Sequence, residues 1–179
     1  MAKKLVVLLD SGDTLIDEST QVLDDRGIVQ NAGWIDGARE LLDFLQAEQY
    51  RVCLVADGET ESFDNIFGVL GKRDIFEGWV TSEQVGVQKP DRAMFEAAFR
   101  AMRLSSRDKR RAVMIGNNLK KDIAGANAFG IPSIWMRWSP RYEQTVAQPD
   151  WQPTYTAENP RAVIALLQKN GGRYIKGWI

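Results

Sequence analysis

Residues Leu5 to Leu9 form an unbroken apolar run, opened by Lys3-Lys4 and closed by Asp10, with a glycine turn at Gly12 just behind it. A run this short, apolar at every position and ended by turn signals, reads as a strand buried on both faces. Such strands belong to parallel sheets covered by helices. Ligands of open α/β sheets sit beyond the carboxyl ends of the strands. Asp10 is therefore a carboxylate placed where this kind of fold does its chemistry, and Asp13-Thr14-Leu15 share its loop.

The rest of the chain repeats the strand–helix alternation that a parallel sheet needs. Ile35, Ala38, Leu41, Leu42 and Leu45 recur at helical spacing, with Asp36 placed to cap the helix. Tyr50 to Ala56 reads as the second strand, with Asp57-Gly58 as its exit turn. Asp57 reads either as the N-cap of the next helix or as a residue of the site. Phe63, Ile66, Phe67 and Leu70 give a second helix closed by Gly71, and Ile75 to Thr81 returns as a third strand. Pro90 suits a loop-to-helix junction, Asp91 suits the first helical turn, and Phe95, Ala98, Phe99 and Met102 continue that helix. Ala112 to Ile115 and Ile131 to Met136 read as strands four and five, followed by a short Thr154–Thr156 strand and a helix from Pro160 to about Gln168. Residues 16–33 are polar and irregular, with a turn at Asp24-Asp25-Arg26-Gly27.

Composition narrows the chemistry. The chain has 179 residues, enough for one domain (1–179) with a real core. An apolar share of 44% and a formal net charge of −1 point neither to disorder nor to a polyanion-binding surface. The basic run Arg107 to Arg111 reads as a solvated connection, so no nucleic-acid partner is expected. With no histidine, His-based acid–base catalysis and His metal ligands are excluded; any metal is a hard cation on oxygen ligands, Mg²⁺ first among them. The lone Cys53 excludes an internal disulfide and fits a reducing compartment. The N-terminal apolar stretch is too short for a signal peptide or membrane span, so a cytoplasmic location is expected. The first strand is not followed by the Gly-rich fingerprint of a dinucleotide-binding domain.

Asp10-Ser11-Gly12-Asp13-Thr14-Leu15 resembles the first motif of the haloacid dehalogenase (HAD) superfamily, an apolar strand followed by Asp-x-Asp-x-Thr. Three further motifs follow in order: a strand end at Ala56-Asp57-Gly58, Lys89-Pro90 before a helix, and Gly116-Asn117…Asp122…Gly125-Ala126. The resemblance covers nearly the whole chain. It implies a HAD-like, Rossmannoid three-layer α/β/α fold with a central parallel sheet in the order 5-4-1-2-3. Residues 16–33 would be a short flap in place of a cap domain, and 171–179 a C-terminal tail that docks on the body or meets a partner.

The same resemblance assigns roles. Asp10 would be a covalent nucleophile, Thr14 and Lys89 its catalytic partners. Ser11, Ala56, Asp57 and Gly58 would line the substrate site, although Ala56 lacks the hydroxyl that the family places there. Asp10, Gly12, Asn117 and Asp122 would hold Mg²⁺, with Asn117 replacing a charged ligand. Taken alone, Lys89 reads as a solvated surface lysine and Asp122 as a carboxylate at a helix start. The implied activity is a Mg²⁺-dependent phosphatase working through an aspartyl-phosphate. Gly12 stands where the family carries its acid–base Asp, and losing such help costs roughly 10²- to 10⁴-fold. Haloacid dehalogenases and phosphonoacetaldehyde hydrolases also lack that Asp, but they use a cap. The expected partner is a phosphorylated small molecule or a macromolecular phosphate, with a second subunit (a homo-oligomer) as another way to cover an open site. The rival reading is a non-catalytic HAD-fold scaffold working by protein contact.

Overall fold

The computed structural model describes residues 5–170; the tail expected at 171–179 lies outside them. A six-stranded parallel sheet forms the centre. Its strands are β1 (Val6–Leu9), β4 (Arg51–Ala56), β5 (Phe76–Thr81), β6 (Ala112–Gly116), β7 (Ser133–Met136) and β8 (Tyr155–Ala157). Their spatial order is β5-β4-β1-β6-β7-β8. The expected order of the first five strands holds, and the short sixth strand extends the β7 edge. β1 is central: Leu9 pairs with Leu54 on one side and Ile115 on the other.

The period-two alternation of β1 feeds two separate cores. Leu5, Val7 and Leu9 pack with Leu41 and Leu45 of α1 (Ala38–Ala47), Phe67 of α2 (Thr60–Val69) and Leu167 of α6 (Pro160–Lys169). Val6 and Leu8 pack on the other face with Met94, Phe95 and Phe99 of α4 (Arg92–Ala101) and Phe129 of α5 (Ala124–Phe129). Burial of each such side chain contributes about 1.5–3 kcal/mol, and both faces hold the strand whose end carries Asp10. Four-residue α3 (Ser82–Val85) follows β5.

Local caps differ in two places from expectation. Gly37, at φ 85°, caps α1, whereas Asp36 reaches across to pair with Arg161 of α6 at 2.7 Å. Asp91 sits one position before the helix as the N-cap of α4 and accepts the Ala93 N–H at 2.8 Å.

The larger difference is at residues 16–34, which form an antiparallel hairpin of β2 (Ile16–Leu23) and β3 (Val29–Trp34). Most of β2 is exposed or half-buried, so no apolar alternation marks it in the sequence. Backbone pairing forms it instead, and Asp24 shapes the turn by accepting from the Arg26 and Ile28 N–H groups. Two side chains of α2 fasten it: Ser62 Oγ accepts the Val29 N–H and Asn65 donates to the Val29 carbonyl. Among the described residues no helix is long and apolar enough to cross a membrane.

Candidate active site

Asp10 leaves β1 with its N–H still bonded to the Ile115 carbonyl at 3.0 Å. The chain then folds into a tight loop in which the Ser11 carbonyl accepts from the N–H groups of Thr14, Leu15 and Ile16. Asp13 takes a left-handed conformation, φ 47°, which Asp tolerates better than most residues. The loop thereby brings Thr14 back beneath Asp10, and the Thr14 hydroxyl donates to Asp10 Oδ2 at 2.7 Å. Thr14 is fully buried behind the carboxylate. It orients Asp10 rather than facing the cleft.

Lys89 arrives from the loop before α4 and is itself buried. Its Nζ donates to Asp10 Oδ1 at 2.6 Å, to Asp122 Oδ1 at 2.8 Å and to the Val55 carbonyl at 2.9 Å. All three ammonium donors are thus used. Burial works against the ammonium, but Asp10 and Asp122 outweigh it, so the proton is held more tightly than on an ordinary lysine. Two carboxylates share this one cation. Burial and the Asp10 charge accordingly push the Asp122 carboxyl up to about 7, against the pull of Lys89.

Asp122 lies in a π-helical turn, Leu119–Ile123, and its Oδ2 accepts the Asn118 N–H at 3.0 Å. Both of its oxygens are therefore engaged within the protein. Asn117 lines the same cleft, its backbone carbonyl takes the Trp135 indole N–H at 3.0 Å, and its side-chain Nδ2 is buried without a partner.

These groups open onto a cleft of about 110 Å³ lined by Asp10, Gly12, Glu18, Asp57, Lys121 and Asn117 among others. A second cleft of about 210 Å³ continues from it between the hairpin and α2, lined by Ile16, Leu23, Val29, Phe63 and Ile66 together with Ser11 and Gly58. Gly12, Glu18 and Asp57 belong to both and mark the junction.

Of the residues picked from sequence, Asp10, Gly12, Asp57, Lys89, Asn117 and Asp122 meet in the first cleft, and Ser11 and Gly58 line the second. Ala56 does not line either. Its methyl group is buried in the core beside α2, so its expected place in the substrate site is corrected. Asp57 is not the N-cap of α2, a position held by Glu59. It accepts instead from the Lys89 N–H at 3.0 Å and from Lys121 Nζ at 2.8 Å. Lys89, which taken alone would read as a surface lysine, is buried in the site.

Sequence reasoning missed Glu18, Lys121, Asn118 and Tyr142, all of which line the first cleft. Lys121 stands next to a motif residue, and that adjacency was the available signal. Glu18 and Tyr142 carried none: they reach the site only because the hairpin and the loop after β7 fold over it. The Tyr142 hydroxyl donates to Glu18 Oε2 at 3.2 Å. Burial, then the Asp13 charge, lift the Glu18 carboxyl above its ordinary value against that hydrogen bond. Asp13 turns away from the cleft toward Arg141, at 2.8 Å, and Ser139.

A family model described as haloacid dehalogenase-like hydrolase matches residues 6–130. The chain is 29% identical over 143 residues to the (S)-2-haloacid dehalogenase of Pseudomonas sp. strain YL, a match covering 79% of this chain and 56% of that protein. It is also 29% identical over 143 residues to the pyrimidine 5'-nucleotidase PynA of Streptococcus pneumoniae, covering 80% of this chain and 58% of the nucleotidase. The chain thus spans little more than half the length of these relatives. Among solved structures, the HAD-hydrolase YfnB of Bacillus subtilis, described as bound to magnesium, superimposes with a TM-score of 0.65 at 26% identity over 75% of this chain and 56% of YfnB. A HAD-superfamily hydrolase from Ehrlichia chaffeensis shares the fold at a TM-score of 0.72 and 16% identity, over 94% and 98% of the two chains.

Proposed function

Because the chain belongs to the haloacid dehalogenase-like hydrolases, we propose that it is a phosphatase in which Asp10 is the nucleophile. The observation that carries this reading is the Asp10 carboxylate itself, held between Thr14 and Lys89 at the mouth of a cleft on the central strand. Relatives named as phosphatases and nucleotidases support it. Asp10 attacks phosphorus, the ester bond breaks, and water then releases phosphate from the acyl-phosphate on Asp10. Thr14 fixes the direction of attack. Lys89 and Lys121, which both line the cleft, supply positive charge there, in a site where charge is worth more than in water.

Mg²⁺ is part of this proposal. Asp10, Glu18, Asp57 and Asp122 line the cleft against only Lys89 and Lys121, an excess of two carboxylates over ammonium groups. A phosphate anion needs a counter-charge there, and the donors available are oxygens, as a hard cation requires. Asp10 and the Asn117 amide oxygen would hold the ion. Among the described residues no three Asp, Glu, His or Cys side chains converge as a metal site, so the affinity rests on few protein ligands. When bound, the ion would act as a Lewis acid on the phosphoryl oxygens.

Gly12 favours one second reading, the carbon–halogen hydrolysis of the dehalogenase relative, because a halide leaves without a proton. One panel separates the two. Phosphate release from aryl, acyl and alkyl phosphates with Mg²⁺, abolished in Asp10→Asn, supports the phosphatase. Chloride release from (S)-2-chloropropionate without phosphate release supports the dehalogenase. Release of neither removes both and leaves a non-catalytic scaffold.

A further inference from the structure

The absent acid at position 12 leaves a space, and the structure shows what fills it. A β-carbon built on Gly12 would stand 2.9 Å from Glu18 Cδ, closer than such atoms approach, closer still to Oε1, and 3.2 Å from Cγ. The Glu18 carboxylate thus occupies the volume that a side chain at position 12 would enter. It comes from the first strand of the hairpin instead of from the nucleophile loop.

Its placement is fixed from several directions. The Glu18 N–H donates to Asp13 Oδ1 at 3.2 Å, Tyr142 donates to Oε2, and Arg141 lies 3.8 Å from Oε2. Its side chain keeps 29% exposure, so the carboxylate remains open to the cleft. Most telling is its position at the junction of the two clefts. The first cleft carries Asp10 and the two lysines and suits a phosphoryl group. The second, with its Ile16, Val29, Phe63 and Ile66 wall, suits the group the phosphate is bonded to. The scissile bond then crosses the junction beside Glu18.

We infer that Glu18 is the general acid and base of this site, replacing from the hairpin the carboxylate that the Asp10 loop lacks. The inference rests on the phosphatase reading above. In the first step an Asp10 oxygen bonds to phosphorus and the ester P–O bond breaks. The Glu18 carboxyl gives its proton to the departing oxygen, which leaves as an alcohol. In the second step water bonds to phosphorus and passes a proton to the Glu18 carboxylate. The bond from Asp10 to phosphorus breaks, and inorganic phosphate leaves with Asp10 restored. Glu18 is protonated again for the next turnover.

The test is turnover of alkyl and aryl phosphates of graded leaving-group basicity by the full chain, Glu18→Gln, Glu18→Ala and the Gly12→Asp/Glu18→Ala double variant, with melting curves for each. Glu18→Gln keeps the shape and is expected to slow release of the alcohol in a single turnover about 10²- to 10⁴-fold on alkyl phosphates but only a few-fold on aryl phosphates, and to slow the phosphate release that follows alike for both. The double variant, with the β-carbon clash removed, is expected to recover alkyl turnover relative to Glu18→Ala. Alcohol release slowed equally for every leaving group, or not slowed, overturns the role of Glu18 while leaving Asp10-dependent phosphatase activity standing. No Asp10-dependent phosphate release from the unmodified chain overturns the phosphatase reading and the Glu18 role together.

Discussion

Asp122 folds back over Gly116 so closely that a β-carbon on Gly116 would stand 2.7 Å from the Asp122 Cβ and nearer still to its carboxylate. The last residue of β6 is therefore glycine for reasons of space, and the Lys89 salt bridge depends on it.

Gly116→Ala should displace Asp122 and detach it from Lys89. Overpacking of this kind costs about 1–3 kcal/mol, and the loss should appear as a lower denaturation midpoint with an unchanged slope. Catalytic turnover should fall with it, since Lys89 would lose one of its two anchoring carboxylates. An alanine variant as stable as the parent would show that the turn has room to move.

Burial of Asp122 beside Asp10 makes stability depend on pH. The Asp122 carboxyl is raised from 3.8 to about 7 in the folded chain, so the folded state holds this proton more tightly than the unfolded state. Its contribution to stability is fully present below about pH 3.8 and is lost as pH rises through about 7. Denaturation of parent and Asp122→Asn in EDTA buffers should show the variant gaining relative to the parent between those limits. Parallel curves would contradict the assignment.

Lys89→Met leaves Asp10 and Asp122 buried against each other with no cation. Breaking a buried pair from one side costs about 3–5 kcal/mol. We expect a loss of that order near neutral pH in chemical denaturation, shrinking in acid as Asp122 takes up its proton. Activity should vanish in the same variant.

Ser62 is one of two α2 side chains that fasten the hairpin. Its alanine variant leaves a buried Val29 N–H without an acceptor, a cost of about 1–3 kcal/mol. Hydrogen exchange should quicken at hairpin amides, while β1 and β6 amides keep their protection. Uniform acceleration would mean that the hairpin is no separate unit.

The sheet and its order were legible because buried parallel strands announce themselves as short apolar runs, and Asp10, Lys89, Asn117 and Asp122 sit in short patterns at the ends of those runs or the starts of helices. The hairpin was not legible. Its first strand, Ile-Asp-Glu-Ser-Thr-Gln-Val-Leu, is mostly solvated and held by backbone pairing, which leaves no periodic trace. Glu18 was hidden for that reason, and Tyr142 because it sits in the loop that crosses the site after β7. The Asp57–Lys121 pair joins residues far apart in the chain, where local capping rules pointed elsewhere. Ala56 was misplaced because a strand end has two faces, and a methyl group turns to the core.

Lys89 draws its three partners from β4, from the end of β1 and from the turn after β6. These are three neighbouring strands of the sheet, drawn from well-separated parts of the chain. No fragment of the chain that stops short of Asp122 can then contain the ionic cluster. A half-synthesised chain, or a partly unfolded form that keeps its helices, still lacks the ionic cluster, because closing those long loops comes before the contact rewards it. Competence at Asp10 is thus a property the chain acquires all at once, and its appearance during refolding marks the moment the middle of the sheet is joined.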